Sequence, residues 1–187
     1  MINKSDAIII GLSIPKFFKL SFSMWIDMWI GLNEKMSTFQ KILYVTNDVT
    51  ESDCGNQILT VDVAMQSENH FNLQHNFKCL NGLGSYNRIS ERFELSAGEW
   101  YRIEYEQIPI FNEDGTTSIS EIIIRINDQI TSKITNFFPK QYNNIKLYYG
   151  KAKREQESFF KLGKIKNFKL SEFMQGKSLK IIHHLSC

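Results

Sequence analysis

Residues 20–30 read LSFSMWIDMWI. Leu20, Phe22, Met24, Ile26, Met28 and Ile30 alternate without a break with Ser21, Ser23, Trp25, Asp27 and Trp29. Successive side chains of a β-strand point to opposite faces, so a strict period of two predicts a long strand with one aliphatic face. The second face carries two tryptophans. They either cover the sheet and pack against other segments, or offer aromatic rings to a sugar or a protein.

The same period recurs on both sides of this stretch. Residues 7–14, AIIIGLSI, predict a first strand rather than a secretory core, because Asp6 abuts the apolar run and no small-residue cleavage site follows before Pro15. Further strands are predicted at residues 42–46, 59–65, 71–77, 93–95, 101–105, 122–126, 145–149 and 165–170. Asp53-Cys54-Gly55-Asn56, Asn81-Gly82-Leu83-Gly84, Ser96-Ala97-Gly98, Asn112-Glu113-Asp114-Gly115 and Asn127-Asp128 supply turn chemistry between them. Two short helical stretches are expected, at residues 34–40 and 151–159. Roughly ten strands with regular turns predict an all-β antiparallel sandwich or barrel.

The 187 residues suit one domain, residues 1–187, since β-sandwiches of roughly 200 residues fold as single units. At 42% hydrophobic and 22% charged residues the chain has ordinary globular composition. A formal net charge of +2 argues against a dedicated nucleic-acid protein, whose affinity comes largely from phosphate neutralisation. No stretch approaches the roughly 20 apolar residues of a membrane-spanning helix. Lys161, Lys164, Lys166 and Lys169 form a local basic run. A solvated strand face is the plainer account of it, an anionic-ligand patch the other.

Four segments in order resemble the concanavalin A-like/laminin G-like jelly-roll superfamily. Residues 95–107, LSAGEWYRIEYEQ, resemble its small loop, Gly, Trp and alternating strand. Residues 122–128, IIIRIND, resemble its I-x-I-N-G strand and tight turn, with Asp128 standing where the pattern has Gly. Residues 138–150, FPKQYNNIKLYYG, and 163–170, GKIKNFKL, are similar to the next strand and the closing G-x-I-x-N-L segment. Residues 42–63 match an upstream strand, polar loop and strand. The resemblance covers about residues 18–170 and implies a two-sheet jelly roll. The superfamily hosts lectins, adhesion modules and glycan hydrolases, so ligand and activity do not follow from it.

The chemistry of particular residues is sparse. The hydrolases of this fold use paired carboxylates in an E-x-D-x-x-E strand, and no such string is present. Glu104 and Glu106 share a strand face, but Tyr101, Ile103 and Tyr105 claim the core side, which predicts a solvated pair. There is no G-x-S-x-G and no Gly-rich phosphate loop. His75 lies on an apolar strand face and reads as a hydrogen-bonded core histidine. Trp100, at a strand start, reads as a buried structural residue.

Asn47, Asp48, Glu51, Asp53 and Asn56 gather hard oxygen donors. Asp48, Glu51 and Asp53 are the candidate calcium ligands, because the resembling domains bind calcium at a loop rim, although an EF-hand order is absent and an ordinary acidic loop is the plainer account. Asp114 and Asp128 are secondary candidates, each also a turn residue. Trp25 and Trp29 are the candidate ligand-binding aromatics. Extracellular members of the superfamily carry disulfides, which points to a Cys54–Cys79 bridge closing a loop of about 25 residues. Reduced thiols are the alternative, and Cys187 is then free or intermolecular.

The sequence is thus expected to encode a lectin-like or adhesion module, not an enzyme, that recognises carbohydrate or an extracellular protein, outside the cell or on its surface. It takes either no cofactor or calcium. A structural subunit packing into a larger assembly is the second reading, and a glycan hydrolase the third.

Overall fold

The computed structural model describes residues 7–26, 40–46, 57–67, 70–80, 86–117, 119–137, 139–149, 163–173 and 179–185. These form twelve strands: β1 (Ala7–Ile14), β2 (Phe18–Ile26), β3 (Gln40–Thr46), β4 (Gln57–Ser67), β5 (His70–Leu80), β6 (Tyr86–Ser96), β7 (Trp100–Ile110), β8 (Ile119–Ile126), β9 (Gln129–Asn136), β10 (Tyr142–Tyr149), β11 (Gly163–Phe173) and β12 (Leu179–Leu185). No helix occurs among the described residues. The two expected helical stretches fall outside them, apart from Gln40, which begins β3.

The strands make two six-stranded antiparallel sheets. Sheet A runs β1-β10-β3-β4-β5-β6 and sheet B runs β12-β11-β2-β7-β8-β9. Neighbours in space come from distant parts of the chain, as in a jelly roll, because β2 is flanked by β11 and β7, and β10 lies between β1 and β3. The period-two pattern supplies the core. Phe18, Leu20, Phe22, Met24 and Ile26 of β2 are all buried, while the intervening residues are half-exposed. They meet Val61, Val63 and Leu73 of sheet A in one continuous hydrophobic cluster with Ile103, Tyr105 and Ile124. Burying side chains of this size removes roughly 1.5–3 kcal/mol each of unfavourable apolar exposure, and that term holds the sheets together.

Two elements went beyond the sequence pattern. β9 and β12 were not anticipated as strands. β9 reads QITSKITN, with exposed residues at its start and only Ile134 and Asn136 buried, so its alternation is weak. The turn before it decides its place: Asn127 and Asp128 have φ of 50° and 68°. Two successive residues in the left-handed region make the tight hairpin turn whose twist suits paired strands. Asp128 occupies the position where the jelly-roll pattern carries Gly, and its carboxylate accepts a hydrogen bond from Arg102 at 3.1 Å. Asp114, the other acidic turn residue, accepts from the Thr116 amide and hydroxyl. Both behave as turn residues.

Candidate functional site

The outward face of sheet B is closed by its own charges. Glu104 and Glu106 lie on it as the alternation requires, but they are not simply solvated. Glu104 is only 2% exposed. Lys19 Nζ lies 3.0 Å from Glu104 and 2.8 Å from Glu106, Arg102 pairs with Glu104 at 2.6 Å, and Arg125 pairs with Glu106. Burial alone would raise the Glu106 pKa, but hydrogen bonds from Lys19 and Arg125 outweigh it and hold the carboxyl below its usual range. Burial likewise opposes the charge on Lys19, and the two carboxylates still raise its pKa. Each carboxylate is thus engaged by two cations, and Glu106, with its pKa lowered, is a poor proton donor.

The outward face of sheet A is built differently. Register places Lys41 opposite Asp62, Asp62 opposite Gln74, and Gln74 opposite Arg92, one row across β3, β4, β5 and β6. The neighbouring row sets Tyr148 opposite Tyr44 and Tyr44 opposite Thr60. The inward positions of the same strands, Leu59, Val61, Val63 and Leu73, belong to the core, so both rows face away from it. Yet Thr60 is 1% exposed, Asp62 7%, and Tyr44 and Tyr148 6% each. Side chains on the non-core face of a sheet are usually wet. Here polar and aromatic groups are collected and shielded. The Tyr44 and Tyr148 rings lie 5.8 Å apart, Lys41 Nζ stands 6.0 Å from the Tyr44 ring, and the Thr60 hydroxyl donates to Asp62 at 3.4 Å. This is the candidate site. Sequence reading passed over all of it, because Thr60, Asp62 and Gln74 looked like the ordinary polar half of alternating strands. Only burial on the wrong side marks them.

Beneath that face, His75 of β5 joins the sheets. Its Nδ1 is hydrogen-bonded to the Tyr105 hydroxyl of β7, as expected of a core histidine, and its ring stands edge-on to Phe93 and Tyr105. Its Nε2 has no hydrogen-bond partner. Burial lowers its pKa from 6.5 to about 3, so the ring is neutral at ordinary pH. Burial, with a smaller push from the Asp62 carboxylate, holds the Tyr105 phenol well above its usual value. A small pocket of about 20 Å³ lies among Ile14, Phe18, Ile122, Gln107 and Asn136. It admits a water molecule and no sugar.

The remaining expected residues divide three ways. Asp48, Glu51 and Asp53, with Trp29 and Cys54, lie outside the described residues. Cys79 is in β5 opposite Asn87. Trp25 is half-buried, its ring 5.7 Å from that of Trp100, and Trp100 is 38% exposed. The expectation of a buried Trp100 is therefore corrected: its alternation puts it on the outward face with Arg102 and Glu104. Among the described residues no three His, Cys, Asp or Glu side chains converge as metal ligands do. No described helix is long and apolar enough to cross a membrane.

No protein-family model matches the sequence, and the comparison with curated proteins finds no match. Solved structures do match. A native heptameric SAP-like pentraxin from Limulus polyphemus aligns with TM-score 0.50 at 12% identity, over 91% of this chain and 71% of its own. The fold is a concanavalin A-like jelly roll. An alginate lyase from Pseudomonas aeruginosa aligns with TM-score 0.46 and 10% identity, over 84% of this chain and 65% of its own. A family 16 glycoside hydrolase endo-glucanase from Bacteroides ovatus gives 0.34 and 13%, over 85% and 68%. At these identities the likeness shows the fold alone. The expectation, drawn from missing catalytic motifs, that the chain is not an enzyme is corrected: the similar structures include lyases and a glycoside hydrolase.

Proposed function

We propose that this jelly roll recognises a carbohydrate polymer on the outward face of sheet A. The observation that carries the reading is the row of Lys41, Asp62, Gln74 and Arg92 across four strands on the side of the sheet away from the core, with Lys41, Gln74 and Arg92 reaching the surface. A saccharide presents apolar C–H faces and many hydroxyls. Lys41, Gln74 and Arg92, the surface members of the row, carry the donors and the acceptor that hydroxyls match. The row crosses four neighbouring strands spaced about 4.8 Å apart, which suits an extended chain better than a single small molecule. An extracellular or cell-surface setting belongs to the proposal.

The test is retention on a panel of neutral and acidic oligosaccharides, followed by the product profile after long incubation, so that binding and turnover are both read. Gln74→Ala with Tyr44→Ala should weaken binding about tenfold or more while the β-sheet circular dichroism persists. Equal binding by native and variant protein would contradict the assignment.

A second reading, a subunit of a larger assembly, has its own observation. β9 is one of the two edge strands of sheet B, and Ile130 near its start and Phe137 just after it are 52% and 41% exposed. Exposed edges with apolar ends invite pairing with another chain. Concentration-dependent sedimentation abolished by Ile130→Lys would favour it.

A further inference from the structure

The cations of sheet B's outward face fall into two groups. Lys19, Arg102, Arg125 and Lys133 each pair with a carboxylate on β7, β8 or the β8–β9 turn. Lys164, Lys166 and Lys169 of β11 pair with none among the described residues. Register sets Lys164 opposite Trp25, Lys166 opposite Ser23 and Lys169 opposite Ser21. Trp25 is in turn opposite Trp100. Lys164 and Lys166 therefore stand beside an aromatic pair, and Lys169 lies further along the same face.

Strict alternation would turn Lys169 into the core. A register shift between Lys166 and Lys169, where Asn167 adopts φ of 56°, prevents that. The bulge keeps Phe168 and Leu170 buried and returns Lys169 to the face of Lys164 and Lys166. Lys166 Nζ sits 3.6 Å from the centre of the Trp100 ring. The indole face holds that ammonium in place, so less side-chain freedom is lost when an anion arrives. Trp100 keeps 38% of its surface open.

We infer that Trp25, Trp100, Lys164, Lys166 and Lys169 form a second binding site, for an anionic carbohydrate bearing sulfate or carboxylate groups. The uncovered part of the Trp100 indole takes the sugar's C–H surface and the ammonium groups take its charges. The strand rise places Lys164 and Lys166 about 7 Å apart, so a repeating anion is engaged at more than one point. A phospholipid surface fits less well, because the indoles lie against each other and under Lys166 instead of protruding as a wedge.

The site is independent of the one on sheet A, and the experiment keeps the two apart. The probe is a sulfated heparin hexasaccharide, titrated into the full chain at low salt and followed by tryptophan fluorescence and calorimetry. Binding that weakens steeply with salt, and about tenfold or more in the Lys164→Gln, Lys166→Gln, Lys169→Gln triple variant at unchanged melting temperature, is the expected result. Trp100→Ala should weaken it several-fold with the lysines intact. The Gln74→Ala, Tyr44→Ala variant should bind the hexasaccharide as the native chain does. No binding to the hexasaccharide, undiminished binding by the triple variant, or a preference for vesicles of phosphatidylserine and phosphatidylcholine over the hexasaccharide would each overturn the inference. So would a Trp100→Ala chain with native affinity.

Discussion

The outward faces of the two sheets solve the same problem in opposite ways. Sheet B carries acids and bases in reach of one another, and its central pairs neutralise each other around Glu104 and Glu106. Sheet A carries two buried tyrosines, a buried carboxylate and a half-buried amide, where sheet B carries buried and half-buried carboxylates. At the centre of sheet B the charges of the outward face pair with one another, and the lysines of β11 lie apart from that lattice. Polar and aromatic side chains gathered on the far side of sheet A do not add to the hydrophobic core, and that is what sets the face apart.

The largest expected effect concerns the histidine that joins the two sheets. The unfolded chain takes up a proton at His75 below about pH 6.5, and the folded protein resists doing so until about pH 3. More protons on the unfolded state mean that stability falls as pH drops through that window, by up to about 5 kcal/mol at its lower end. The Glu106 carboxyl, with its pKa lowered in the fold, adds a loss only at lower pH, as it protonates. Urea midpoints should therefore already decline between pH 6.5 and 5, and His75→Leu should flatten that part of the curve. A flat native profile there would show that His75 is not sealed in the core.

Next in size is a contrast between inside and outside. Phe22→Ala, at 2% exposure, should cost about 3–5 kcal/mol. Trp100→Ala should cost about 1 kcal/mol, because the indole is half-open and loses only its contacts with Trp25 and Lys166. Thermal melts of the two variants check the ranking, and a Trp100→Ala loss as large as that of Phe22→Ala would restore the buried reading of Trp100.

Smaller still is the charge lattice. Lys19→Met removes a cation that faces both Glu104 and Glu106 and leaves Arg102 and Arg125 to hold them. A loss of about 1–2 kcal/mol is expected, since Glu104 is buried although Lys19 itself is partly exposed. The least effect is a gain. Asp128→Gly relieves a non-glycine residue at φ 68° and gives up only an exposed ion pair with Arg102. A stabilisation of about 0.5 kcal/mol should appear in chemical denaturation.

The fold was legible because residues 20–26 and their counterparts in β4, β5, β7 and β8 carry their apolar groups at every second position. That pattern fixes which side meets the core. β9 was not legible, since five of its first residues are exposed or half-exposed and its pairing rests on the Asn127-Asp128 turn. His75 was read correctly from its apolar neighbours. The sheet A site was not read at all. Its residues occupy polar positions of regular strands, and their shielding arises from tertiary structure that no local period encodes. Trp100 misled for the related reason that a large aromatic at a strand start has no sign of which face it takes until the register with Trp25 is known.

The most direct measurement is a backbone amide titration of the isotope-labelled chain with the oligosaccharide that the panel retains best. The account predicts shifts concentrated on Lys41, Tyr44, Asp62, Gln74, Arg92 and Tyr148, while Glu121, Ile123 and Lys133 of sheet B stay unmoved. Shifts confined to β8 and β9, or no shift on sheet A at saturating ligand, would contradict it.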